Sequence, residues 1–150
     1  MIIAPQAAMA TESTAAEAAE ALCFGVDAEG NEVLEMAARA GAGAAGADGP
    51  TRGVNRVVMM KWEQPYMEAL VEALDLRGTD AVCEVGFGLG YSATAIQRRR
   101  PARHVIIEPD AAVLARAHAW AAWAREANPD GVVEIVPGPD LCAAMSRLDG

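Results

Sequence analysis

A glycine-rich turn near the middle of the chain is the feature best suited to hold a ligand. Residues 82–85, Val-Cys-Glu-Val, are interpreted as a buried strand, and a turn containing Gly86, Gly88 and Gly90 follows it directly. Glycine lacks a Cβ atom, so the main chain can adopt positive φ and approach a ligand closely. A helix is expected to begin after the turn, and helix N-termini favour anionic groups. The turn therefore predicts a site for a nucleoside-bearing ligand.

The spacing of the glycines distinguishes between two cofactors. The dinucleotide fingerprint G-x-G-x-x-G requires its third glycine where this chain has Tyr91. Glu84, two residues before Gly86 and followed by G-x-G-x-G, instead resembles the first motif of S-adenosylmethionine-dependent methyltransferases. We therefore expect S-adenosyl-L-methionine as the cofactor and disfavour a nicotinamide-dependent oxidoreductase.

A carboxylate at the end of a second apolar run supports an adenosyl site, for NAD and S-adenosylmethionine alike. Residues 105–107 are Val-Ile-Ile, and Glu108 follows them, 22 positions after Gly86. A carboxylate at the tip of the second strand can accept hydrogen bonds from both ribose hydroxyls of an adenosyl group. A glycine turn by itself can be an ordinary tight connection, but the correctly spaced carboxylate favours a cofactor site.

The elements around these residues alternate between strands and helices. Apolar residues at 66, 67, 70, 71 and 74 have helical spacing, with Pro65 in the first turn. The pattern predicts strands at about 81–85, 104–108 and 132–136, and helices at about 91–100 and 110–127. Such alternation indicates an α/β fold in which parallel strands form part of a Rossmann-like methyltransferase sheet.

The N-terminal third has a different composition. Good helix formers at residues 11–23 and 31–40 predict two short helices. Residues 41–53 are almost entirely Gly, Ala, Asp and Pro, which is typical of a linker. We therefore expect a short helical segment over residues 1–40, a Gly/Ala-rich linker over 41–53, and the N-terminal half of a methyltransferase domain over 54–150.

Composition excludes several classes of partner and site. The net charge of −9 argues against nucleic acid and anionic membranes, because phosphate binding needs clustered cations. No apolar stretch approaches the roughly 20 residues of a membrane span, and no targeting segment is evident. Three widely spaced cysteines indicate a reducing compartment, so the expected location is cytoplasmic, with the nucleus possible. His104 and His118 lack ligand spacing, so no metal site is expected.

A longer match appears at residues 58–67, Val-Met-Met-Lys-Trp-Glu-Gln-Pro-Tyr-Met, followed by the G-F-G turn and the I-I-E strand end. From about residue 55 to 150 the chain resembles guanidinoacetate N-methyltransferase and the related arginine δ-N-methyltransferases. The resemblance implies that Glu108 holds the ribose and that Glu63 belongs to the acceptor site. It also implies that the cofactor is contacted by Met59, Met67, Gly86, Phe87, Gly88, Leu89, Gly90 and Tyr91.

A carboxylate can assist methylation of a guanidino group, and Glu63 is the candidate for that role. A guanidinium nitrogen is a poor nucleophile because its lone pair is delocalised and its pKa exceeds about 12. A carboxylate that binds the guanidinium through two hydrogen bonds can orient it and help remove a proton. Glu63 is therefore the predicted catalytic residue. The alternative role for Glu63 is that of a negative charge that stabilises a helix N-terminus. The alternative role for Met59 and Met67 is ordinary packing in the core.

The sequence departs from the family pattern at its end. Relatives carry a second acidic residue after a fourth strand, which this chain does not reach, so we expect a fragment of a longer protein. Residues 81–85 would then form an unpaired sheet edge. Asp140 is predicted either to contact the adenine or to cap a helix. The expected acceptor is guanidinoacetate or a protein arginine, with a non-catalytic adenosyl-binding module as the alternative; the oligomeric state stays open.

Overall fold

The computed structural model describes residues 21–37 and 56–138 and arranges them as two three-stranded sheets and three α-helices. A single 3₁₀ turn, Lys61–Glu63, leads into the first helix. The strands are β1 (Leu22–Val26), β2 (Glu32–Met36), β3 (Arg56–Met60), β4 (Ala81–Val85), β5 (Arg103–Glu108) and β6 (Val132–Pro137). The helices are α1 (Gln64–Ala73), α2 (Tyr91–Arg98) and α3 (Ala111–Ala127).

The C-terminal sheet confirms the predicted α/β fold. Its strand order is β4-β5-β6 and both pairings are parallel. Strand β5 is central, and its Val105, Ile106 and Ile107 are at most 2% exposed, as expected for a strand covered on both faces. Strand β4 lies at an edge, as the sequence predicted, and Val85 at its end is 69% exposed. Strand β4 leads into the glycine turn, and Glu108 is the last residue of β5.

The N-terminal sheet corrects a prediction. Strands β1, β2 and β3 pair antiparallel in that order, so the helices expected at residues 11–23 and 31–40 are wrong where the structure describes them. Residues 11–20, 38–40 and the predicted linker at 41–53 lie outside the described residues. The expected division into domains stays a prediction, although β2 and β3 share one sheet.

Local turn chemistry and burial explain why a hairpin forms. Asp27 Oδ1 accepts hydrogen bonds from the backbone N–H groups of Glu29 (3.0 Å) and Asn31 (2.7 Å), and Gly30 has a φ of +79°. These features close a tight turn between β1 and β2. Leu34 on β2 is 1% exposed, so cross-strand pairing and burial together outweigh a weak helical preference.

The N-terminal sheet of β1, β2 and β3, which we call the hairpin sheet, packs against the core beside the glycine turn. Leu34 joins a core cluster that includes Phe87, Leu89 and Ile106. The backbone N–H of Leu22 donates to Asp110 Oδ2 at 3.2 Å, while Oδ1 of the same carboxylate caps α3. The N-terminal sheet is therefore attached to the elements that carry the predicted cofactor site. None of the helices in the described residues is long and apolar enough to cross a membrane.

Candidate cofactor and acceptor site

The glycine turn between β4 and α2 needs glycine for both conformation and space. Gly86, Gly88 and Gly90 have φ values of +83°, +55° and +79°, a region that residues with a Cβ rarely adopt. A Cβ on Gly90 would lie 2.6 Å from Cζ of Phe87, and one on Gly88 would lie 3.0 Å from Sδ of Met59. A Cβ on Gly86 would meet no atom within 4 Å. The turn is thus packed on its Gly88 and Gly90 side and open at Gly86.

Glu108 joins the end of β5 to this turn. Its Oε2 accepts a hydrogen bond from the Phe87 backbone N–H at 2.8 Å, and its Oε1 accepts one from Asp110 N–H at 2.8 Å. The residue is 4% exposed. An ionised carboxylate offers about four acceptor positions, so these two bonds orient Glu108 and leave capacity for ribose hydroxyls. The free acceptor positions therefore fit the ribose hydroxyls of an adenosyl group, and the structure brings the two predicted cofactor elements together.

Met59 reaches the same turn from β3. Its sulfur accepts a contact from the Leu89 backbone N–H at 3.4 Å and lies beside Gly88. Met67 lies on α1, eight residues after Met59 in the sequence, and is half-buried. Met59 therefore contacts two residues of the glycine turn, while a cofactor contact for either methionine stays a prediction.

Glu63 has a structural role in addition to its predicted catalytic one. Its Oε1 accepts a hydrogen bond from the Met60 backbone N–H at 2.8 Å, in a capping box that begins the 3₁₀ turn. The residue is half-buried. The alternative proposed from the sequence, a carboxylate that satisfies a helix start, is therefore seen. Capping uses part of the carboxylate's acceptor capacity, and the acceptor role of Glu63 stays a prediction.

A cavity of about 400 Å³ opens beside the turn, among α1, α2 and α3. Four predicted cofactor residues line it, together with side chains that the sequence analysis missed. The missed groups include Arg116 and Trp120 of α3, which stand four residues apart on one helix face. That spacing was the available signal. The lining comprises Gln64, Glu68, Phe87, Leu89, Gly90, Tyr91, Thr94, Arg116, Ala119 and Trp120; Met59 and Glu108 are outside it.

Aromatic and hydroxyl groups fix one wall of this cavity. Trp120 Nε1–H donates to Thr94 Oγ1 at 3.0 Å, and its ring meets Phe87 edge-on with centroids 5.4 Å apart. Phe87 in turn fills the space over Gly90. The wall therefore connects α3 and α2 to the glycine turn through directional contacts.

The charges at the cavity are already paired. Arg116 hydrogen-bonds to both carboxylate oxygens of Glu32, which lowers the pKa of Glu32 and raises that of Arg116. The pKa of Tyr91 is raised, chiefly by burial and then by the charge of Glu32, with Glu63 adding to the effect. Tyr91 thus lies within electrostatic reach of both carboxylates.

Two further predictions concern Asp140 and the absence of a metal site. Asp140 lies outside the described residues, so its adenine contact or capping role stays a prediction. Within residues 21–37 and 56–138, no group of three or more His, Cys, Asp and Glu side chains is arranged to hold a metal ion.

Comparison with known proteins agrees with this geometry. The sequence model of guanidinoacetate N-methyltransferase matches residues 26–136, from the end of β1 to β6. The chain belongs to the guanidinoacetate N-methyltransferase family. Members of this family use S-adenosyl-L-methionine as the methyl donor. The family match includes β2 and β3, so the hairpin sheet belongs to the family's region of similarity.

Two curated relatives are protein arginine methyltransferases. Protein arginine N-methyltransferase 2 of Saccharomyces cerevisiae is 43% identical over 63 residues, which are 39% of this chain. The protein of the same name from Candida glabrata is 40% identical over 60 residues, or 38% of this chain. The matched region covers only 15% of the length of each relative.

Proposed function

We propose that this chain carries the cofactor-binding part of an S-adenosyl-L-methionine-dependent N-methyltransferase that acts on a guanidino group. The observation that carries the proposal is the hydrogen bond from Phe87 N–H to Glu108 Oε2. It joins the glycine turn to the carboxylate of the next strand, the two elements that an adenosyl group needs. Membership of the guanidinoacetate N-methyltransferase family supports the same function.

The roles of the residues follow from this assignment. S-adenosyl-L-methionine supplies an activated methyl group. Glu108 accepts hydrogen bonds from the ribose, and the backbone of residues 86–91 lies against the cofactor with Met59 and Met67. Glu63 binds the acceptor guanidinium, orients its nitrogen and accepts the proton that this nitrogen loses on methylation. Positioning and electrostatics supply most of the catalysis.

The acceptor is either guanidinoacetate or an arginine in a protein. The family's description favours the first, and the names of the two fungal relatives favour the second. Both present the same planar cation to Glu63. The helices expected at residues 11–23 and 31–40 are replaced by strands where the structure describes them, so they give no argument for a protein substrate. The alternative of an adenosyl-binding module without catalysis is not favoured. The expected cytoplasmic location stays a prediction.

Calorimetric titration of this chain with S-adenosylhomocysteine tests the cofactor site. We expect saturable binding at one site that NAD does not displace. Gly86→Ala should weaken binding, because it adds a Cβ at the open part of the turn. Gly30→Ala is the matched control, since Gly30 also has φ near +80° and open space around it, but lies in the β1–β2 turn. A folded chain that does not bind, or that binds equally well with Gly86→Ala, contradicts the proposal.

The acceptor role needs a second assay. Methyl transfer to guanidinoacetate and to an arginine peptide should be compared for the native protein and Glu63→Gln. We expect turnover to fall sharply while S-adenosylhomocysteine binding is retained. Glu63→Asp and a thermal unfolding curve separate this loss from the loss of the cap. Unchanged turnover in Glu63→Gln would remove this carboxylate from the mechanism.

A further inference from the structure

A buried line of polar side chains runs beneath the glycine turn, through Ser92, Glu84, His104 and Gln97. Glu84 Oε1 accepts a hydrogen bond from Ser92 Oγ, and Oε2 lies 3.0 Å from His104 Nε2. The other ring nitrogen, Nδ1, lies 3.0 Å from Gln97 Nε2. His104 and Gln97 are 0% exposed, and the Glu84 side chain is 9% exposed. His104 and Gln97 are therefore buried, while Glu84 and Ser92 at the other end of the line are partly buried.

The bond between Glu84 and Ser92 closes the base of the turn. Glu84 precedes Gly86 by two residues on β4, and Ser92 follows Gly90 by two residues in the first turn of α2. The three glycines allow the main chain many conformations. A hydrogen bond across the base reduces that freedom, which lowers the entropic cost of ordering the turn around a ligand.

The hydrogen-bond partners determine the protonation of His104. In the observed orientation of the Gln97 amide, Nε2 faces Nδ1 of His104 and can only donate, which assigns the acceptor role to Nδ1. The ring proton then lies on Nε2 and is donated to Glu84 Oε2. Within the described residues Gln97 Oε1 is buried with no hydrogen-bond partner. Trp120 meets the imidazole edge-on, with centroids 6.3 Å apart. These contacts hold the ring in one orientation.

We propose that His104 is a positioning residue for the cofactor, acting through Glu84. Its Nε2–H supplies the second donor to this buried carboxylate, which would otherwise be left partly unsatisfied and free to rotate. With Nε2–H in place, the carboxylate stays aligned with Ser92 and the glycine turn is formed before the ligand arrives. The identity of the ligand rests on the proposed function; the positioning role does not.

Nitrogen-15 NMR of the histidine side chains tests the tautomer directly. The chain has two histidines, and His118 is exposed on α3, so it serves as an internal reference. We expect His104 to carry its ring proton on Nε2, opposite Glu84, with Nδ1 unprotonated opposite Gln97. A ring proton on Nδ1 with none on Nε2 would overturn the assignment, because Nε2 would then have no proton to give to Glu84.

Two variants at the same position separate the hydrogen bond from simple packing. In His104→Gln the side-chain amide can still donate to Glu84, whereas His104→Leu cannot. We expect His104→Leu to weaken S-adenosylhomocysteine binding by roughly tenfold, the scale of one hydrogen bond to a charged group, and His104→Gln to recover most of it. Equal binding by native protein and folded His104→Leu would refute the role, and so would equal loss in both variants.

Hydrogen exchange makes the inference independent of the ligand. Amides of residues 86–90 should exchange faster in His104→Leu and in Ser92→Ala than in the native chain, while His118→Gln should leave them unchanged. Ser92→Ala keeps the test open if His104→Leu does not fold. Absence of S-adenosylhomocysteine binding by the native chain would refute the proposed function only. Unchanged exchange in folded variants would refute the positioning role of His104.

Discussion

Arg116 on α3 binds both carboxylate oxygens of Glu32 on β2, across 84 positions of sequence. The guanidinium also lies 4.6 Å from the ring centroid of Phe24 on β1. Two strands of the hairpin sheet are therefore attached to a helix of the parallel sheet by one cationic side chain. Because Arg116 lines the cavity beside the glycine turn, this attachment also sets the position of the hairpin relative to the candidate site.

Removing this ion pair should destabilise the fold modestly. Both side chains are about one third exposed, so solvent screening limits the gain, while the two-pronged geometry increases it. We expect Glu32→Gln to lower the free energy of unfolding by about 1 kcal/mol in urea titrations. Asp130→Asn is the control, because its pair with Arg100 is far more exposed. A similar loss of unfolding free energy in both variants would show that the two-pronged Arg116–Glu32 pair stabilises the fold no more than an exposed ion pair does.

The same pair predicts a pH dependence. Hydrogen bonding to Arg116 lowers the pKa of Glu32 below its ordinary value of 4.5. Its contribution to stability should therefore be complete above the unfolded-state pKa and disappear as the pH falls through the lowered folded-state value. Urea unfolding of native protein and Glu32→Gln between neutral pH and acid should show their difference shrinking at low pH. A difference that stays constant would contradict the assignment.

Two alanine substitutions in the glycine turn should have unequal costs. Gly86→Ala and Gly90→Ala place a Cβ at almost the same positive φ, which costs about 1 kcal/mol each. At Gly90 the new atom also meets the Phe87 ring, which is 2% exposed and packed against Trp120. We expect Gly90→Ala to lose about 2–4 kcal/mol in total, measured by chemical denaturation. Equal costs would mean that Phe87 moves aside freely.

Glu108→Gln should disturb the turn before any cofactor is added. Both carboxylate oxygens accept from backbone N–H groups, so an amide would direct its NH₂ at one of these donors. Leaving one buried N–H unsatisfied costs about 1–3 kcal/mol. Thermal unfolding should reveal this loss together with weakened S-adenosylhomocysteine binding. Glu126→Gln, exposed on α3, is the control and should change neither property.

The parallel half of the fold was predictable because its signals are local. Strand β4 has the bounds that the sequence predicts, and Asp110 caps α3 immediately before its first residue. Strand β2 was missed because Glu-Val-Leu-Glu-Met suits a helix almost as well as a strand, and its pairing with β3 depends on residues far away in sequence. The overlooked signal was Gly30 in a short polar turn between two runs containing β-forming residues.

In the candidate site, too, the residues with local sequence signals were predictable and those positioned by long-range packing were not. The glycines and Glu108 were recognisable because their spacing reflects a main-chain requirement. For Glu63 the sequence offered a helix N-terminal charge as the alternative role, but it did not reveal the hydrogen bond from Met60 N–H. Arg116 and Trp120 escaped notice because their position depends on how α3 packs against the hairpin sheet. Their partners Glu32 and Thr94 come from β2 and α2, and no single segment of sequence contains both members of either pair.

The pairing of β3 with β2 has a consequence for how homologues can differ in length. Met59 on β3 pairs with Leu34 on β2, and the register of the two strands shifts between Leu34 and Glu35. The pairing of β3 with β2 therefore determines where Met59 meets the glycine turn. Insertions and deletions between β2 and β3 should be tolerated in related sequences, whereas a single residue gained or lost between Met59 and Glu63 should not.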